Sequence, residues 1–289
     1  MEEKILEVKG LSKKYKDFKL QDINFALDKG YIMGLIGRNG AGKTTLMNCI
    51  LGKLHYETGS ILLGNGVEQF HENTAKEDLG FIVEPGPFFP GETLEENGKM
   101  LGVFYKNWDS AYFISLLKRF ELNRDKLYYD LSKGMKTKFQ LAFALAHRPK
   151  LLILDEPTGG LDPVFRREFL SMIQSEVRDT MMSVIISTHL TTDLDKVADY
   201  IMMLDKGTQL FYMDKEEMLD SFPVLSGDVE KLPLLDKDKC GRVRRKGNYF
   251  STMLKSPEYL KEHPEFKTEF QVERTSIEEI MYYLSEGEM

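Results

Sequence analysis

Residues 37–44 read Gly37-Arg38-Asn39-Gly40-Ala41-Gly42-Lys43-Thr44, and they govern the reading of everything around them. The spacing is G-x-x-x-x-G-K-[ST], in which glycines let successive backbone N–H groups turn inward around an anion. A helix starting at the end of such a loop adds the positive end of its dipole. The surroundings suit it: an apolar strand is expected over residues 31–36 and a helix over residues 44–54. Lys43 would then reach the β- and γ-phosphates of a nucleoside triphosphate, with the Thr44 hydroxyl on Mg²⁺ and Thr45 closing the loop.

Outward from that loop, short strand-like runs fill the first eighty residues, at 5–8, 20–27, 60–63 and 79–83, separated by turns such as Asp28-Lys29-Gly30. Between about 93 and 147 the apolar spacing changes to three and four, as at 108–120 and 135–146, which predicts helices. Wholly apolar runs at 151–154, 184–187 and 201–204 then alternate with helical stretches at 163–177 and 192–198. Strand–helix–strand alternation of this kind predicts an α/β fold whose parallel sheet is covered on both faces. Past residue 220 prolines and glycines interrupt the pattern, and residues 221–289 are expected to form a small accessory α+β domain ending in a helix near 275–284. The basic run at 242–246 reads as the solvated face of a hairpin.

Asp155 and Glu156 follow the apolar run at 151–154 directly. A strand that ends in acid delivers its carboxylates to the sheet edge where α/β folds bind ligands. Beside a phosphate loop, Asp155 is placed to hold Mg²⁺ through water, and Glu156 to take a proton from an attacking water.

These residues, in this order, resemble the nucleotide-binding subunit of an ATP-binding cassette (ABC) transporter over roughly residues 4–215. The resemblance implies a P-loop NTPase cassette at residues 1–220, with a RecA-like parallel core, an antiparallel β subdomain and a helical subdomain at about 85–147. It implies ATP and Mg²⁺ as cofactors and ATP hydrolysis as the reaction. Tyr15 takes the place of the family's adenine-stacking aromatic, with Phe18 as the substitute. Leu131-Ser132-Lys133-Gly134-Met135 stands where the family has Leu-Ser-Gly-Gly-Gln, the loop that faces the γ-phosphate of a second subunit. Lys133 there replaces a glycine and Met135 a glutamine; charge attraction from Lys133 is expected to replace the lost polar contacts. Asp162 matches the aspartate that bridges two subunits. His189 matches the switch histidine that contacts the γ-phosphate and braces the attacking water. Glu84, in Phe81-Ile82-Val83-Glu84, falls where the family carries a Mg²⁺-linked glutamine, and the apolar stretch at 85–90 is expected to receive a helix of the membrane partner.

The rest of the composition narrows the class. A net charge of −7 lacks the footprint of a nucleic-acid binder, so no nucleic-acid partner is expected. No apolar run approaches bilayer length, no secretory leader is apparent, and Cys49 and Cys240 form no metal-ligand spacing. The expected place is cytoplasmic, peripheral on the inner face of the cell membrane. A separate transmembrane permease and a second cassette, in a homodimer or heterodimer, are the expected partners. The residues at 275–280 and the Leu-Ser-Lys-Gly-Met loop are similar to the multidrug and antibiotic-export branch, which favours export. Two other readings stay open. One is a non-transport ABC ATPase acting on nucleic acid or the ribosome, which usually carries two cassettes. The other is a regulatory cassette that binds ATP with weak turnover, against which the presence of both Glu156 and His189 argues.

Overall fold

The protein is described by a computed structural model over residues 3–64, 67–68, 77–83 and 86–284. Two long strands, β1 (Lys4–Lys14) and β2 (Lys19–Asp28), precede β3 (Ile32–Ile36), the phosphate loop and helix α1 (Lys43–Ile50). β4 (Thr58–Leu63), β5 (Val67–Glu68) and β6 (Leu79–Ile82) follow, then three helices, α2 (Leu94–Gly102), α3 (Ser110–Arg119) and α4 (Lys133–Ala146). The chain returns through β7 (Leu151–Asp155), α5 (Pro163–Thr180), β8 (Ser183–Ser187), α6 (Thr191–Val197), β9 (Tyr200–Asp205) and β10 (Thr208–Asp214).

These ten strands form one sheet in the order β5-β4-β1-β2-β10-β9-β3-β8-β7-β6. β3 is buried at every position and lies between β8 and β9, parallel to both; β7 and β6 continue the parallel set beyond β8. Strands covered on both faces need apolar side chains at successive positions, and Ile32–Ile36, Leu151–Leu154 and Val184–Ile186 supply them. On the other side β1 pairs antiparallel with β2 and β4. β10 joins the two parts, pairing antiparallel with β9 and touching β2 through Thr208 and Gln21.

The helical insertion is anchored at its ends. Thr93 and Glu96 close a reciprocal capping box on α2, with Thr93 Oγ1 accepting from Glu96 N at 3.1 Å and the Glu96 carboxylate accepting from Thr93 N at 3.0 Å. Inside, Phe88 meets Phe139 and Phe143 edge-on at 4.8 and 5.3 Å. α4 starts at Lys133, two residues before the stretch that apolar spacing predicts, because Ser132 caps it and draws the loop at 131–135, the signature loop, into its first turn. α1 stops at Ile50 rather than 54, where Gly52 has a positive φ of 69°.

After α7 (Lys215–Ser221), strands β11 (Val224–Asp228), β12 (Cys240–Lys246), β13 (Tyr249–Leu254) and β14 (Gln271–Glu273) build a second sheet in the order β12-β13-β11-β14. Two short helices, α8 (Pro257–Glu262) and α9 (Phe266–Glu269), cover it, and α10 (Ile277–Leu284) ends the described chain. Leu225, Phe250, Leu254, Phe266 and Phe270 form a cluster of their own. Val224, Met253, Ile277 and Ile280 belong instead to the core cluster that contains Leu194 and Val197 of α6, so the second sheet and the first share apolar packing. Among the described residues no helix is long and apolar enough to cross a membrane.

Candidate active site

β3 delivers the chain to the phosphate loop at the C-terminal edge of the parallel strands. Gly37 (φ 149°) and Gly42 (φ 108°) both sit where an L side chain is strained, and both are crowded. A Cβ on Gly37 would run into the Leu204 carbonyl, and one on Gly42 would lie 2.9 Å from Phe18 Cζ. Glycine is therefore required at both on two counts. Gly42 is the residue before α1, whose first turn contains no carboxylate, so the positive helix end is left for an anion. Lys43 is buried, and its Nζ donates to the carbonyls of Gly37 at 2.7 Å and Arg38 at 3.2 Å, holding the loop closed around its own ammonium. Burial presses the Lys43 ammonium below its usual range, and the nearby Glu156 and Asp155 pull it back.

Two cavities flank the loop. One of about 500 Å³ is lined by residues 39–45, Asp155, Glu156 and Phe18. The other, about 460 Å³, is lined by residues 37–41, His189, Asp205, Lys206 and Met281 of α10. The glycine loop is the wall between them.

The acidic pair is wired to the loop. Thr44 Oγ1 donates to Asp155 Oδ2 at 2.8 Å, and Ser187 Oγ donates to Asp155 Oδ1 at 2.6 Å. The same Ser187 oxygen accepts from Glu156 N at 3.1 Å. Glu156 sits in the left-handed region (φ 49°), so the backbone turns sharply after the strand and its side chain swings toward His189. His189 Nδ1 lies 2.6 Å from Glu156 Oε2, which also accepts from His189 N at 3.3 Å. Thr44, Asp155, Ser187, Glu156 and His189 thus form one continuous chain of contacts. Ser187 is the member that motif reading missed. Its signal was positional, since parallel pairing of β7 with β8 sets Ser187 opposite Asp155.

The donors suit Mg²⁺: a hydroxyl and a carboxylate, both hard oxygens, 2.8 Å apart at the mouth of an anion-binding loop. Among the described residues no cluster of three or more His, Cys, Asp or Glu side chains is arranged to hold a metal unaided. Mg²⁺ is held in just this way in nucleotide sites, by one or two protein groups plus phosphates and water. Thr44 and Asp155 are the residues that would hold it. Glu84, expected as a third metal-linked group, lies outside the described residues.

Of the two candidate aromatics, Phe18 lines the phosphate cavity, while Tyr15 stands 6.3 Å from it, centroid to centroid, with Lys13 Nζ 5.4 Å from its ring. Residues 131–135 line neither of the two cavities beside the phosphate loop. Ser132 Oγ accepts from Met135 N at 3.3 Å as the cap of α4, and the Met135 side chain packs on the helical core. Lys133 and Lys136 line a third cavity, about 250 Å³, to which Asp155 and Glu156 also contribute. A Cβ on Gly134 would lie 3.6 Å from Gly160 O, which places the signature loop against the loop that leads to Asp162. Asp162 caps α5, accepting from Val164 N and Phe165 N at 3.1 and 2.9 Å, and those bonds hold its carboxyl below the usual range.

The chain is similar to known proteins. A family model described as ABC transporter matches residues 20–159. The ABC transporter ATP-binding protein YtrB of Bacillus subtilis (strain 168) is 32% identical over 219 residues, 75% of this chain and 75% of that one. The bacitracin transport ATP-binding protein BcrA of Bacillus licheniformis is 34% identical over 214 residues, 71% and 68% of the two chains. A solved structure of an ATP-binding subunit of an ABC transporter is similar with a TM-score of 0.69 at 28% identity, over 74% of this chain and 91% of that one.

Proposed function

This chain belongs to the ABC transporter ATP-binding proteins, and from that premise we propose how its residues divide the work. The chain is an ATP-hydrolysing cassette of an ATP-powered transporter, and its kind implies a permease partner and dimerisation. Lys43 and the inward N–H groups of residues 37–45 hold the triphosphate. Glu156 takes the proton of the attacking water, and His189, 2.6 Å from its carboxylate, orients Glu156 and faces the γ-phosphate. Thr44 and Asp155 would hold Mg²⁺, whose charge offsets that of the transferred phosphoryl. Each site is completed in trans by Ser132, Lys133, Gly134, Met135 and Asp162 of a second cassette bound head to tail.

The transport reading extends to direction and place. Export is favoured by the resemblance of residues 131–135 and 275–280 to the antibiotic-export branch, and a bacitracin transport ATP-binding protein is among the similar chains. A seat on the inner face of the membrane follows from the transporter role, and Phe89, Met100, Val103, Phe104 and Tyr129 are apolar side chains that the helical segment exposes for a partner to cover.

The observation that carries the catalytic assignment is the contact chain from Thr44 to His189 through Asp155, Ser187 and Glu156. Glu156→Gln tests it. ATP binding is expected to persist, steady-state phosphate release to fall about 10²–10⁴-fold, and an ATP-bound dimer to accumulate. Phosphate release at the wild-type rate overturns Glu156 as the base.

A further inference from the structure

α4 is tied to the segment that follows β6 by one buried amide. Gln140 lies about two turns beyond the Ser132 cap and is 6% exposed, on a helix whose neighbouring positions are Phe139, Leu141, Ala142 and Phe143. A polar group in such surroundings is costly unless it is bonded. Its Oε1 accepts the backbone N–H of Val83 at 3.2 Å. Its amide carbon is 3.4 Å from where a Cβ on Gly86 would sit, so the side chain meets the chain on both sides of positions 84 and 85. Gln140, Val83 and Gly86 line the 250 Å³ cavity to which Lys133, Asp155 and Glu156 also contribute. One amide therefore stands between the helix that begins at the signature loop and the strand end that leads to the metal-linked position.

We propose that Gln140 is a positioning residue that makes α4 move together with the chain at Val83 and Gly86, so that engagement of Ser132 by a second cassette's nucleotide is felt at the hydrolytic site of its own chain. This rests on the cassette reading above and adds to it the group that does the coupling. α4 is a continuous helix from Lys133 to Ala146, so a displacement at its capped end is carried along its axis to Gln140. Separating Gln140 from Val83 would strand a buried N–H donor without an acceptor, which opposes independent motion of the two segments.

The test compares full-length Gln140→Met, which keeps the length and removes the acceptor, with Gln140→Glu, which keeps an acceptor. Hydrogen exchange is followed with and without ATP and Mg²⁺, alongside steady-state hydrolysis. In the wild type ATP is expected to slow exchange in peptides covering 132–140 and 79–90 together. In Gln140→Met the 132–140 response persists and the 79–90 response is lost; kcat falls about tenfold, and KM for ATP stays within about twofold. Gln140→Glu restores both. Gln140→Met with a wild-type kcat and a retained 79–90 response overturns the coupling. Faster exchange in both peptides without ATP, with the ATP response intact, also overturns it by showing a bond that only stabilises. A wild-type chain that hydrolyses no ATP overturns the cassette reading, and this proposal with it.

Discussion

Ser187 carries a role that no motif announces. It is fully buried at the end of β8, and its one hydroxyl serves both members of the acidic pair, donating to Asp155 Oδ1 at 2.6 Å and accepting from Glu156 N at 3.1 Å. A carboxylate braced on one oxygen presents the other in a fixed direction, here toward Thr44. Ser187→Ala is expected to raise the Mg²⁺ concentration for half-maximal ATP hydrolysis about tenfold, while nucleotide binding measured without Mg²⁺ stays as in the wild type. An unchanged Mg²⁺ titration would reduce Ser187 to a strand residue. Asp155, Glu156, Lys43 and Thr44 were legible in the sequence because local motifs impose their geometry, whereas Ser187 depends on which strand lies beside β7. The two aromatics show the same limit. Both lie in or beside the turn between β1 and β2, and only the path of that turn puts Phe18, rather than Tyr15, into the phosphate cavity.

At the scale of elements, α4 is held at both ends by different chemistry. Ser132 caps its start, and at its other end His147 is 2% exposed, stacked on Tyr105 at 4.0 Å between centroids. Its ring nitrogens lie 3.3 Å from Phe143 O and 3.2 Å from Leu79 O, which binds the helix end to β6. Burial pushes the imidazole down to about 4 from an ordinary value near 6.5, outweighing the two carbonyls that favour its charged form. Because the folded-state value is depressed, the unfolded chain takes up the proton first as pH falls. His147 is therefore neutral in both states above about pH 7 and removes stability as pH drops from 6.5 toward 4. Denaturant unfolding at pH 7 and pH 5 is expected to show about 2 kcal/mol more loss for the wild type than for His147→Phe, whatever the baseline cost of the substitution. Equal losses would show that His147 is already charged in the fold. Apolar runs made β3, β7 and β8 legible as elements, because strands buried on both faces leave no other pattern. β10 was not, since Phe211 is its one buried residue and its place in the sheet comes from pairing with β9. The packing of α10 against α6 was illegible for the same reason: the helix shows its own amphipathic face but not the surface that will cover it.

For the whole molecule, a net charge of −7 means that pairing with a second copy around bound triphosphates is opposed by long-range repulsion. Lys133 is an exposed cation at the start of α4, beside the loop that leads to Asp162, with its Cδ 3.7 Å from where a Cβ on Gly160 would sit. In the head-to-tail pair proposed above it would face the partner's triphosphate in place of the glycine found in the family's pattern. Its attraction there counters the repulsion locally, and salt screens it, since the Debye length is about 10 Å at 0.1 M and about 3 Å at 1 M. On the Glu156→Gln chain, which is expected to retain ATP, Lys133→Ala is expected to weaken ATP-driven dimerisation about 2- to 5-fold in low salt, the range of a solvent-exposed ion pair. The gap should close as salt rises, while the underlying affinity of the Lys133→Ala chain increases because only like-charge repulsion is left to screen. Light scattering across a salt series reads both slopes. A gap that holds constant across the series would assign Lys133 to shape or packing, and the tolerance of the loop to the loss of its first glycine would then lie in the backbone at Gly134 instead of in charge.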